Sequence, residues 1–109
     1  MAKIIKITRE IASERLADVS PEKQFWCSDG RVLKNLLELA AALEEISDES
    51  FHHHSSEGKS DFSNWVRDVI GDDKLSRDLQ KSKSRAQAAK AVADRVTWLK
   101  SKIEASQAN

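Results

Sequence analysis

Cysteine occurs once in this chain, at Cys27, so no intrachain disulfide can form and an oxidising compartment has nothing to act on. Proline also occurs once and glycine three times, a scarcity that suits a helical protein. Long apolar runs are missing: Val32–Leu43 is broken by Lys34, Asn35 and Glu38, so no segment is long enough to cross a bilayer. The opening MAKIIKITREI has the charge of a signal peptide but lacks its apolar stretch and cleavage site. Net charge is absent too, with 18 basic against 18 acidic residues, which removes any long-range attraction to phosphate. The expectation is a soluble cytoplasmic protein with no membrane partner.

What is there is ample. The 109 residues are enough for one domain with a real core, and 39% apolar residues are too many for a disordered chain. The charges are segregated along the sequence. Residues 44–73 hold nine acids against Lys59 and Arg67, whereas residues 74–102 hold nine bases against Asp78 and Asp94. A basic C-terminal helix lying near an acidic middle would neutralise itself. The alternative is a nucleic-acid interface on segment 74–102, carried by Lys81, Lys83, Arg85, Lys90 and Arg95. No aromatic residues interleave these bases, which favours the first reading.

Helical periodicity runs almost throughout. Thr8 offers an N-cap to a helix with Ile11, Ala12, Leu16 and Val19 on one face, stopped by Pro21. Asp29-Gly30 reads as a turn that launches a helix over 32–46, where Val32, Leu36, Leu39, Leu43 and Ile46 form a wide stripe. Ser47 or Asp48 caps a short turn through His54, and Ser60 or Asp61 caps a helix bearing Phe62, Trp65, Val66, Val69 and Ile70. Gly71 fits a helix C-terminus and Asp72 caps a short helix with Leu75 and Leu79. Ser84-Arg85-Ala86-Gln87 is a capping box opening the last helix. The expected fold is an all-α bundle of four to five helices, one domain over 1–109, with an extended arm over 1–7 and a frayed end at 106–109.

Phe51 to Asp72 gathers all three histidines, a helix start and an aromatic pair. On a helix, neighbours point about 100° apart, so His52, His53 and His54 cannot converge on one ion. His54 follows Phe51 by one turn and shares its inward face. A metal site would need further ligands, with Cys27 and Asp61 the suggestive ones, but paired ligand spacings such as CxxC are absent. A structural corner is more concrete: His54, ending one helix, bonds Asp61, starting the next, under cover of Trp65, while Asp61 also serves its own helix. Such a histidine is also a candidate pH sensor. A Cys27–His54 nucleophile pair would need an oxyanion donor that the sequence does not supply. Gly-rich phosphate loops and GxSxG are absent, so neither a catalytic residue nor a cofactor is expected.

These same residues carry a resemblance. Phe25-Trp26, Asp29-Gly30-Arg31-Val32-Leu33-Lys34-Asn35-Leu36, Glu38-Leu39-Ala40, Leu43, Asp48-Glu49, Phe51, His54 and Asp61-Phe62-Ser63-Asn64-Trp65-Val66-Arg67-Asp68-Val69-Ile70-Gly71-Asp72 with Leu75 form one pattern. It resembles a group of small archaeal and bacterial proteins or domains of unknown function, over most of Val19 to Leu99. Ser60 and Ser76 depart from it, standing where the pattern has asparagine and alanine; both keep the capping or packing role. The resemblance implies that His54 is the motif histidine, and it sets His54, Asp61, Phe62, Trp65, Arg67 and Asp68 together as the candidate site. It implies no activity, cofactor or partner. The resulting expectation is a non-catalytic interaction domain, whose apolar stripe and three tryptophans leave surface for a protein partner or a second copy. Nucleic-acid binding through 74–102 is the alternative, and a metal-sensing site near His54 the second.

Overall fold

Thr8 opens the first helix as its sequence suggests: its hydroxyl accepts the Ile11 N–H at 3.2 Å and starts α1, Arg9–Leu16. The computed structural model describes residues 6–56 and 59–107, so most of the expected N-terminal arm lies outside the described residues. α1 stops before Pro21 is reached. Val19 lies beyond the helix, where its N–H donates to the Lys34 carbonyl at 2.8 Å. Pro21 instead begins a 3₁₀ turn, Pro21–Lys23, at a position where its missing N–H costs nothing.

The reading of Asp29-Gly30 as the start of a helix is corrected by a hairpin. β1, Phe25–Trp26, pairs antiparallel with β2, Val32–Leu33, setting Phe25 opposite Leu33 and Trp26 opposite Val32. Gly30 turns the chain with φ +98°, a conformation other residues enter only under strain. Its N–H donates to the Cys27 carbonyl at 3.0 Å, and the Cys27 N–H donates to the Arg31 carbonyl at 2.8 Å. Strand alternation then sends Phe25 and Leu33 inward and Trp26 and Val32 outward.

The helix expected from residue 32 begins at Leu36 and runs as α2, Leu36–Glu45. Asn35 decides the boundary. Its backbone is extended, its side-chain oxygen accepts the Glu38 N–H at 2.8 Å, and Glu38 reaches back to the Lys34 N–H at 2.9 Å. Leu36, Leu39, Ala42, Leu43 and Ile46 are buried, but Leu37 is 40% exposed, so the stripe is narrower than its sequence promises.

Ser47 caps α3, Asp48–His54, through the Ser50 N–H. A second small hairpin, β3 (Ser55–Ser56) with β4 (Lys59–Ser60), leads to α4, Asp61–Trp65. α4 widens into a π-helical turn, Val66–Ile70, ended by Gly71 at φ +87° with its N–H on the Val66 carbonyl. Asp72 caps α5, Asp73–Lys81, and Ser84 opens α6, Arg85–Gln107. The Gln87 side chain closes the capping box one residue early, on the Lys83 N–H at 2.7 Å.

The described residues therefore hold six α-helices, a 3₁₀ turn, a π turn and two two-stranded sheets, against the expected four to five helices alone. The molecule is mostly helical. α6 lies against α1, α2 and α5. Leu36, Leu39 and Leu43 of α2 meet Val92 and Leu99 of α6 in the core, with Phe62, Val66 and Leu75 fully enclosed beside them. Each such side chain contributes roughly 1.5–3 kcal/mol of transfer free energy, set against the entropy of ordering the chain. Among the described residues no helix is long and apolar enough to cross a membrane.

Candidate functional site

The corner forms where α3 ends, α4 begins and the first hairpin turns. His54, the last residue of α3, is 6% exposed. Its Nδ1 lies 3.0 Å from Asp61 Oδ2, and its Nε2 lies 2.9 Å from the backbone nitrogen of Ser28 in the hairpin turn. An amide N–H can only donate, so Nε2 must accept and Nδ1 must carry the proton that it donates to Asp61. One imidazole thus ties a hairpin to two helices, and its tautomer is fixed by its neighbours. A proton on Nε2 would set two donors face to face and break the link to Ser28.

Rings pack around this bond. Phe25 and Phe62 meet the His54 ring edge to face at 5.1 and 5.4 Å, and they stack on each other at 5.2 Å. Phe51 stacks on Phe62 at 5.8 Å. Trp65 was expected to cover the His54–Asp61 pair. It contacts Phe25 instead, and its indole N–H donates to the Lys23 carbonyl at 2.8 Å, pinning the 3₁₀ turn. Asp61 does not cap its own helix. Ser60 does, its hydroxyl accepting the Ser63 N–H at 3.1 Å, which leaves the Asp61 carboxylate for His54 and Lys59.

The other members of the candidate set lie apart. Arg67 and Asp68 ride outward on the π turn and bond each other at 2.8 and 3.1 Å. That bond holds the Asp68 carboxyl below its usual range and the Arg67 guanidinium above its own. His52 and His53 are exposed, as the facing argument requires. Cys27 is buried, and burial, helped by the Asp29 charge, pushes its thiol up. Because the Ser28 N–H occupies His54 Nε2, that nitrogen is not available to Cys27 as a base. Among the described residues no three His, Cys, Asp or Glu side chains gather as a metal site would require, so Cys27, His54 and Asp61 do not form one.

The basic candidates divide as well. Arg85 donates to the Leu43 and Glu44 carbonyls at 2.8 and 3.0 Å, closing the C-terminus of α2, and also reaches Asp48. Lys90 pairs with Asp94 on the same helix. Arg95 grips Asp72 through two bonds, 2.7 and 3.1 Å, and lies over the Trp98 ring at 4.4 Å. Ion pairs of the described residues leave out Lys81 and Lys83.

Two features were not foreseen. Asp72, read only as a cap, is completely buried: it caps α5 at the Leu75 N–H, takes both Arg95 bonds and has Arg15 of α1 at 3.6 Å. The acidic residue next to a helix-ending glycine is a legible cap, but nothing local signals its partner 23 residues on. The other is which tryptophan supplies the expected exposed surface: Trp26, 72% exposed on the outer face of the hairpin opposite Val32. Its signal was the alternation of Phe25 and Trp26, which becomes readable only once the hairpin is recognised. A scan against family models, a search of curated proteins and a search of solved structures each find no match to this chain.

Proposed function

We propose that this chain is a non-catalytic domain that acts by contact with another protein, through the hairpin that carries Trp26. The observation that supports it is the pairing of opposite demands on one two-residue strand. Phe25 is locked into the aromatic corner, whereas its neighbour Trp26 stands in solvent beside Val32. Exposed large apolar side chains cost solubility, and tryptophan is the residue type most enriched among the energetic anchors of protein interfaces. The His54 bond to Ser28 holds the hairpin turn in place, so the backbone that carries the indole is already ordered before binding. The resemblance to small archaeal and bacterial domains of unknown function belongs to the same proposal. Phe25, His54, Asp61, Phe62 and Trp65, which carry it, are the residues gathered at the corner.

The test is affinity capture from native lysate with and without nuclease treatment, comparing the wild-type chain with Trp26→Ala. The expected result is one or more proteins retained by the wild type and lost by the variant, with unchanged thermal stability. Loss of an anchor of this kind typically costs about 2 kcal/mol or more, some thirtyfold in affinity. Retention unaffected by Trp26→Ala would overturn the reading, and a concentration-dependent mass in light scattering would redirect it to self-association. Partners that vanish with nuclease would shift the reading to nucleic acid, for which Lys81 and Lys83 are the exposed support.

A further inference from the structure

Two grooves of similar size cross the surface, and their charge patterns differ. The first, about 740 Å³ between α1, α5 and α6, sets Arg15, Lys74, Arg77 and Arg95 against Asp73, Asp78 and Asp94. It is nearly balanced, and most of those charges are spent on ion pairs, Lys74 with Asp78, Asp94 with Lys90, and Arg15 and Arg95 with Asp72. The second, about 700 Å³, runs between α3, the β3–β4 hairpin, α4 and the end of α5. Lys59 of β4 and Lys83, just past α5, both line it, with His52, Asn64, Gln80 and serines of the hairpin. Not one aspartate or glutamate lies among its described lining residues.

We propose that this second groove binds a phosphoryl group carried by a small phosphomonoester. This goes beyond the hairpin reading and does not depend on it. The lining supplies ammonium, hydroxyl, amide and imidazole groups, almost every one able to donate a hydrogen bond. Such a set outnumbers what the two oxygens of a carboxylate accept, and it matches three phosphoryl oxygens bearing close to two negative charges. Among the described residues Lys83 makes no ion pair and Lys59 has only Asp61 at 3.7 Å, so binding breaks little. The volume falls in the range of small-molecule sites, roughly 300–1,000 Å³. Ser55 and Ser56 add hydroxyls to the lining, whereas those of Ser60 and Ser82 are already engaged with the Ser63 N–H and the Asp78 carbonyl.

The experiment is an amide NMR titration of the full chain with inorganic phosphate and with O-phosphoserine, at constant ionic strength set by chloride. Saturable shifts confined to residues around Ser55, Ser56, Lys59, Asn64 and Lys83 are expected. Lys83→Glu should weaken binding about tenfold or more, and Lys81→Glu, outside the groove, should leave it within about twofold. Lys83→Ala, a milder change at an exposed position, serves if the reversal perturbs folding. Absence of saturable shifts, or shifts reproduced by chloride alone, would overturn the proposal. So would shifts seen with an RNA or DNA oligonucleotide but with neither phosphate probe, since the ligand would then be a polynucleotide backbone.

Discussion

Single side chains in this protein do several jobs at once, and their surroundings set their chemistry. Cys27 sits under the hairpin turn, where burial and the Asp29 carboxylate both disfavour the thiolate. Its folded-state titration therefore lies above that of the unfolded chain. The neutral thiol's contribution is fully present below the ordinary thiol range and is lost as pH rises through the raised value. Urea midpoints compared between pH 7 and about pH 10 should fall more steeply for wild type than for Cys27→Ala. Parallel curves would show that the thiol is not held neutral by the fold. The His54–Asp61 bond was legible because a seven-residue gap joins a helix end to a helix start. The Ser28 half of the same interaction was not, because a backbone amide leaves no mark in a residue pattern.

At the level of elements, local signals and distant ones separate cleanly. Thr8, Ser47, Ser60, Gly71 and Asp72 mark helix ends by chemistry contained within four residues, and the structure uses each of them. Asn35 and Glu38 form the same kind of signal, but the apolar pattern across Val32 and Leu33 masked it. Two-residue strands are too short for alternation to stand out, so the hairpins were missed. Arg85 illustrates the remaining difficulty. Among basic residues of a basic segment it looks like a contact for phosphate, whereas it closes the C-terminus of α2, where a cation is favoured by unsatisfied carbonyls. Arg85→Ala should therefore cost about 1–2 kcal/mol in chemical denaturation. An unchanged midpoint would return Arg85 to the pool of surface bases.

Across the whole molecule, one buried carboxylate links three helices. Asp72 stands at the start of α5 and holds Arg95 of α6 and Arg15 of α1, so the separated acidic and basic segments meet here inside the fold. The sequence-level expectation that the two segments partly neutralise each other finds its clearest instance at this buried group. Removing one partner of a buried pair leaves charge uncompensated, and Asp72→Asn should destabilise by roughly 3–5 kcal/mol. Asp68→Asn, on the exposed π turn, should leave the thermal midpoint where it is. Equal effects from the two would mean that Asp72 is no more important than a surface acid.

The hairpin's fixed mount depends on the His54 imidazole accepting from Ser28 and donating to Asp61, and ¹⁵N NMR of the histidine ring tests that directly. A pyridine-type Nε2 and a proton-bearing Nδ1 at neutral pH are expected, with the Ser28 amide protected from exchange. A proton on Nε2, or two tautomers averaging rapidly, would contradict the account: the hairpin would be untethered and Trp26 would have no fixed mount.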